Sequence, residues 1–208
     1  MDFLARLQES LGQFIFHTSP LEWLGVITGT LCVWLAAKNN IWNWPIAVVS
    51  VVCYIFIFKE SKLYADMGLQ FYFLIMNIYG WYYWSKQGTT ITKPVEIRSI
   101  KLNEIAYSIA GVALFTYLLG TFLYQKTDAH FPFIDSFCTA CSLIAQLFLA
   151  RKIIQNWLIW ILVDLIYIGV YFSKDLYATA LMYTLYIIIA TIGYLDWRKI
   201  YKQQQSLT

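Results

Sequence analysis

The sequence predicts an all-α integral membrane protein. Seven transmembrane helices are expected as 3+1+3 parallel repeats, preceded by an N-terminal amphipathic helix. Three observations carry this expectation. Hydrophobic residues make up 60% of the 208-residue chain and charged residues 13%, against ~45–50% and ~25% in soluble domains. The apolar residues gather into seven runs of membrane-spanning length. The chain also matches itself when shifted by 113 residues. Aromatics reach 19%, so disorder is excluded, because that much apolar surface does not stay solvated. A net charge of +3, spread along the chain, gives no basic patch for nucleic acid.

The first element is an amphipathic helix over residues 1–19. Phe3, Leu4, Leu7, Leu11, Phe14 and Ile15 recur at helical spacing, with Asp2, Arg6, Glu9 and Gln13 elsewhere. It suits either the membrane surface or a face of the bundle. No secretory signal is expected here, because an acid precedes the first base and no short apolar core follows. A span needs ~20 mostly apolar residues. The expected spans are Leu21–Ala37, Trp42–Phe58, Met67–Trp84, Ile105–Leu123, Phe133–Ala150, Trp157–Phe172 and Tyr177–Tyr194. Pro20 and Pro132 stand where helix starts tolerate proline, and Pro45 lies in a first turn. Lys38-Asn39-Asn40, Lys59 to Lys62 and Arg151-Lys152 read as polar turns. The one long loop runs over 86–101, with Gly88 and Pro94. Gly25 and Gly29 form a G-x-x-x-G suited to close packing within the chain.

The repeat is gapless. Asn43-Trp44 meets Asn156-Trp157, Leu63-Tyr64-Ala65 meets Leu176-Tyr177-Ala178, and Gly80, Trp84 and Lys86 meet Gly193, Trp197 and Lys199. Fourteen of the 50 positions from 37 to 86 are identical to their counterparts. Three spans per unit is odd, so a linker span between the units restores a common orientation. The expected division is a surface helix 1–19, a first repeat 20–86, a cytoplasmic loop and linker span 87–131, a second repeat 132–200, and a cytoplasmic tail 201–208. Parallel repeats of this kind are a transporter construction, with substrate held near the midplane between them. Trp44, Trp84 and Trp197 are expected as boundary anchors shared by both halves, and Trp157 as either an interfacial anchor or part of a site.

Charge sets the orientation. Arg6, Lys59, Lys62, Lys126 and Lys174 fall on one side, and the other ten of the 15 basic residues on the opposite side. The N-terminus is therefore expected outside and the C-terminus in the cytoplasm.

Asp164 lies in the middle of the sixth span, where an acid costs ~2.5–3.5 kcal/mol to insert. No base sits at similar depth. It can meet a cationic ligand, carry a proton, or be satisfied by neighbouring donors. Trp157, Trp160, Asp164, Tyr167 and Tyr171 share one helix face. An aromatic-acid-aromatic stripe suits a flat cationic ring. Gln70, Asn77 and Trp84 are spaced seven apart, and Gln146 adds an amide in the fifth span. Such amides either pair across helices or line a cavity. The halves differ where these groups sit: Asp164 corresponds to Val51, Trp160 to Ala47 and Gln70 to Tyr183.

The four cysteines lie in apolar runs, and Cys138-x-x-Cys141 has no histidine or second pair beside it, so both read as small hydrophobes. The sequence has no G-x-x-x-x-G-K-[ST], H-E-x-x-H or G-x-S-x-G. No nucleophile and base assemble, so no enzyme, no metal and no cofactor is expected. Without a nucleotide-driven engine, passive facilitation is favoured over pumping. A membrane enzyme using Asp164, or a structural subunit with a satisfied buried acid, are the competing classes.

The runs Trp42-Asn43-Trp44-Pro45, Leu63-Tyr64-Ala65-Asp66 with Gln70, and Gly80-Trp81-Tyr82-Tyr83-Trp84 resemble the first half of PnuC-type nicotinamide riboside transporters. Ala150-Arg151-Lys152, Asn156-Trp157, Asp164, Leu176-Tyr177 to Tyr183 and Gly193-Tyr194 to Trp197 resemble the second half. The resemblance covers about residues 21–200. It implies a homotrimer in a bacterial inner membrane, moving nicotinamide riboside by facilitated diffusion, with substrate trapped by cytoplasmic phosphorylation. On that reading Trp160, Tyr167 and Tyr183 hold the ring and Asp164 offsets its charge or binds ribose. Gln70, Asn77 and Gln146 bond the carboxamide or ribose. Relatives of the family carry thiamine or riboflavin, which remain alternatives.

Overall fold

The computed structural model describes residues 3–60, 62, 64–86, 96–127 and 129–206. Eight helices account for nearly all of them: α1 (Phe3–His17), α2 (Pro20–Ala37), α3 (Asn43–Glu60), α4 (Tyr64–Lys86), α5 (Leu102–Lys126), α6 (Pro132–Ala150), α7 (Asn156–Ser173) and α8 (Tyr177–Gln205). The extended pairing among the described residues is a single parallel bridge between Arg98 and Ile153. Most of the expected long loop, 87–95 with Gly88, Lys93 and Pro94, lies outside the described residues, as do Asp2 and Leu63.

Local chemistry explains the boundaries. Ser19 caps α2: its Oγ accepts from the Glu22 N–H, and the Glu22 carboxylate accepts from the Ser19 N–H. Pro20 and Pro132 occupy first-turn positions, where a missing N–H costs nothing. The polar turns close through left-handed residues. Asn39, Lys62, Lys152 and Asp175 have φ between 53° and 59°. Asn39 pairs with Lys152, and Lys62 with Asp175, at the 113-residue shift found in the sequence. The turn hydrogen bonds follow the same shift. Asn43 Nδ2 donates to Asn40 O, and Asn156 Nδ2 donates to Ile153 O.

Among the described residues six helices, α2, α3 and α5 to α8, are long and apolar enough to cross a membrane. The sequence expectation was seven. The difference is α4, in which Asp66, Gln70 and Asn77 dilute the apolar content. At 23 residues α4 is still long enough, at ~1.5 Å per residue, to cross a ~30 Å core. It packs against α3 and α6 inside the bundle. The last helix runs further than expected, because the Arg198 to Gln205 tail is built from good helix formers.

The helices form two units, α2–α3–α4 and α6–α7–α8, joined by contacts of α2 with α8 and of α4 with α6. α3 and α7 are not packed against each other. α5 lies along α6 alone, and α1 along α8. α1 is docked on the bundle, with Ser10 Oγ accepting from the Ala178 N–H at 3.2 Å and Arg6 pairing with Asp175 at 3.4 Å. Gly25 and Gly29 face α3, where Ser50 Oγ donates to Gly25 O, so this small-residue pair serves packing within the chain.

Trp44, Trp84, Trp157 and Trp197 are 0%, 5%, 1% and 0% exposed. The expectation of boundary anchors is therefore overturned: these rings are the core where the two units meet. Trp44 stands edge-on to Trp84 at 5.2 Å and 88°, Trp157 edge-on to Trp197 at 5.6 Å and 88°, and Trp84 meets Trp197 at 6.0 Å. An anchor needs one wet edge. Here the Trp84 and Trp197 N–H groups instead donate to helix-end carbonyls, and burial follows.

Candidate functional site

Between α3 and α7 lies a cavity of about 330 Å³. Its walls come in matched pairs from the two units. Eight pairs of lining residues stand 113 apart in the sequence: Val33 and Gln146, Ala36 and Leu149, Trp44 and Trp157, Ala47 and Trp160, Val51 and Asp164, Gln70 and Tyr183, Phe73 and Tyr186, Asn77 and Ala190. The scaffold is symmetric, while the chemistry is not. The carboxylate and the inner Trp160 come from the second unit, where the first has Val51 and Ala47.

Six of the seven residues singled out from the sequence line this cavity: Gln70, Asn77, Gln146, Trp160, Asp164 and Tyr183. Tyr167 does not. It stands behind Tyr183, at 5.3 Å between rings, and Tyr171 stacks on the same ring at 5.2 Å. Tyr186 meets Tyr183 edge-on at 6.0 Å, so a tyrosine cluster bounds one end of the cavity. The tryptophan quartet bounds the other. Tyr167 shared the stripe in sequence, but its ring is separated from the cavity by Tyr183, a residue on another helix.

Asp164 is 5% exposed. Among the described residues no hydrogen bond or ion pair to its carboxylate occurs. Asn77 and Gln146 are paired, with Gln146 Nε2 donating to Asn77 Oδ1 at 2.8 Å. That bond crosses between the two units. It uses the Asn77 oxygen and the Gln146 NH₂, so the Asn77 NH₂ (a donor) and the Gln146 carbonyl (an acceptor) lie outside it. The sequence reading missed Asn43, Ser50, Tyr54 and Trp44 as lining residues. The matched Asn43-Trp44 and Asn156-Trp157 pairs were the signal for Trp44.

A larger apolar groove, about 630 Å³, runs between α5, α6 and α7 and is lined by Ile109, Val112, Phe133, Phe137 and Ile159. No charged group lines it, so the smaller polar cavity is the candidate site. Cys138 and Cys141 are buried free thiols beside Val163.

Outside the spans, the 96–101 segment is pinned to the turn after α6. Arg98 N–H donates to Lys152 O and Ile154 N–H donates to Arg98 O, both at 3.0 Å. Gln155 bonds Ile100 N–H and Ser99 Oγ. Arg98 grips Glu104 through both guanidinium nitrogens at 2.7 Å, which raises the guanidinium pKa further. Lys152 is 7% exposed, with Nζ 4.1 Å from the Trp84 ring centre, and burial pushes its ammonium down to about 8.

Comparison with known proteins agrees with this architecture. The chain is 30% identical to the nicotinamide riboside transporter PnuC of Escherichia coli, covering 88% of this chain and 86% of that one. It is 24% identical to the protein of the same name from Neisseria mucosa, covering 92% and 78%. It is also 24% identical to the riboflavin/roseoflavin transporter RibM of Streptomyces davaonensis, covering 88% of each. The crystal structure of the vitamin B3 transporter PnuC superposes with a TM-score of 0.71 at 24% identity, covering 96% of this chain and 90% of that one, and so shares the fold. Two three-helix units around a polar cavity, and a family match that runs unbroken over residues 19–199, lead to one conclusion: the chain belongs to the nicotinamide mononucleotide transporter family.

Proposed function

We propose that the chain carries nicotinamide riboside across a bacterial inner membrane by facilitated diffusion, with cytoplasmic phosphorylation trapping the substrate. The observation that carries this reading is Asp164: a buried carboxylate without a hydrogen-bonding or ionic partner among the described residues, lining a cavity with Trp160 and Tyr183. A buried charge is expensive unless paired. A pyridinium ring supplies the missing cation and a flat face for the aromatics. The Asn77–Gln146 pair retains an amide donor and an amide acceptor, the two kinds of group a carboxamide pairs with. Gln70, which also lines the cavity, bonds the ribose on this reading. Tyr167 acts on this reading by backing Tyr183 rather than by touching substrate. About 330 Å³ is at the small end of ligand pockets and suits a nucleoside.

The same proposal places seven spans in the 3+1+3 order, α4 included, with the N-terminus outside, the C-terminus in the cytoplasm, and three chains per assembly. The domain division follows, with the surface helix docked on α8 and the tail continuing α8 to Gln205.

Riboflavin is the second reading, favoured by the Streptomyces relative named for it. Binding measured against nicotinamide riboside, nicotinamide, thiamine and riboflavin separates the two. Nicotinamide riboside is expected to bind tightest. Tighter riboflavin binding, insensitive to Asp164→Asn, overturns the first reading in favour of the second.

A further inference from the structure

One end of the cavity is closed by two reciprocal bonds between the units. Trp84 Nε1 donates to Ala150 O at 3.1 Å, from the first unit to the second. Trp197 Nε1 donates to Ala36 O at 3.1 Å, from the second to the first. Both carbonyls belong to the last turn of a helix, α6 and α2, and Ala36 O also accepts from the Asn39 N–H of the α2–α3 turn at 2.9 Å. Trp44 and Trp157 line the cavity, and Trp84 and Trp197 stand edge-on against them. The pair of bonds therefore lies between the cavity and the face that carries the α2–α3 and α6–α7 turns.

The two turns are held differently. The α6–α7 turn is strapped by residues 96–101 through the Arg98 bridge and Gln155, with Ile97 buried at 2% exposure. The α2–α3 turn has no such strap among the described residues. Its side-chain tie to another helix is an ion pair of Lys38 with Asp196 at 2.8 Å, with both side chains more than 40% exposed. Exposed pairs hold little.

We propose that the Trp197 indole bond to Ala36 is the latch of this end, and that it opens by release of Trp197 from Ala36, with the α2–α3 turn moving and the strapped α6–α7 turn, acceptor of the Trp84 bond, staying in place. The use of an opening rests on the transport reading, but the movement is measured without substrate, so failure of one leaves the other standing.

Native Cys32 lines the cavity and reports on access. Its labelling by a membrane-impermeant thiol reagent is followed by mass spectrometry in vesicles of each orientation, with a C-terminal tag identifying the face. Trp197→Phe keeps the ring and removes the donor. It is expected to speed labelling from the C-terminal face about tenfold, the effect of losing one buried bond. Trp84→Phe is expected to change it by less than about threefold, because the strap still holds its acceptor. A bis-maleimide crosslink with a disulfide in its spacer, joining Lys38→Cys and Asp196→Cys across the site of their ion pair, is expected to slow labelling at least about fivefold, reversed by reduction. This arm serves even if the tryptophan variants do not fold. Wild-type labelling in a folded Trp197→Phe protein, equal exposure in Trp84→Phe, or no slowing by the crosslink overturns the proposal.

Discussion

At the scale of single residues, the chemistry concentrates at Asp164. Its carboxylate faces a cavity whose other walls offer amides and rings but no base. Replacing it with Asn keeps the shape and removes the charge. Asp164→Asn is expected to weaken nicotinamide riboside binding ~10- to 100-fold while leaving the neutral, reduced form of the same nucleoside within ~threefold, as read by titration calorimetry. Equal losses for both forms would show that the charge is not used. Lys152 makes a second prediction, at pH above neutral. Its ammonium is held near 8 by burial, against 10.5 in the open chain. Between those values the unfolded chain binds more protons than the folded one, so stability rises with pH through that window. The gain is roughly 3 kcal/mol at most, since each pKa unit is worth about 1.36 kcal/mol. Denaturant midpoints measured from pH 8 to pH 10 should rise in the wild type and stay flat in Lys152→Met. Asp164 was legible in the sequence because an acid inside an apolar run has few ordinary explanations. Tyr167 was expected among the ring-holding residues and stands behind Tyr183, because helix periodicity gives a face while distance from the cavity depends on a residue in another helix. The burial of Lys152 over Trp84 was not legible at all, since a lysine after a span normally reaches water.

At the scale of elements, each unit packs internally through a glycine against a tryptophan. A Cβ at Gly193 would come within 2.8 Å of the Trp157 ring, and one at Gly80 would collide with the Trp44 ring. Gly80→Ala and Gly193→Ala are each expected to destabilise the protein by ~1–3 kcal/mol, measured as a fall in thermal midpoint in detergent. Gly68→Ala, with open space around the added carbon, is the control and should change little. The helix boundaries were readable because capping, proline and polar turns are local. Ser19, Pro20 and Pro132 act within a few residues of themselves. The strap over 96–101 was not, because Arg98, Ser99 and Ile100 find partners at Lys152 to Gln155, more than 50 residues away. α4 was read as a span from its length, and its polar positions turn out to supply Gln70 and Asn77 to the cavity.

At the scale of the whole molecule, internal duplication places a cavity between two matched units and then lets the units diverge inside it. The left-handed turns, the glycine–tryptophan contacts and the edge-on ring pairs repeat at a spacing of 113 residues, whereas Asp164 and Trp160 correspond to Val51 and Ala47. A symmetric frame allows related movements of the two units, and an asymmetric lining suits one small unsymmetrical substrate. The repeat was visible in the sequence as identical residues at equal spacing. The pairing of the cavity walls required the fold. The direct test of transport is uptake of labelled nicotinamide riboside into liposomes containing the purified protein, without nucleotide or ion gradient. Saturable uptake that equilibrates across the bilayer, and that falls at least about tenfold in Asp164→Asn and Trp160→Ala, is the predicted result. Liposomes that take up nicotinamide riboside no faster than protein-free controls would contradict it.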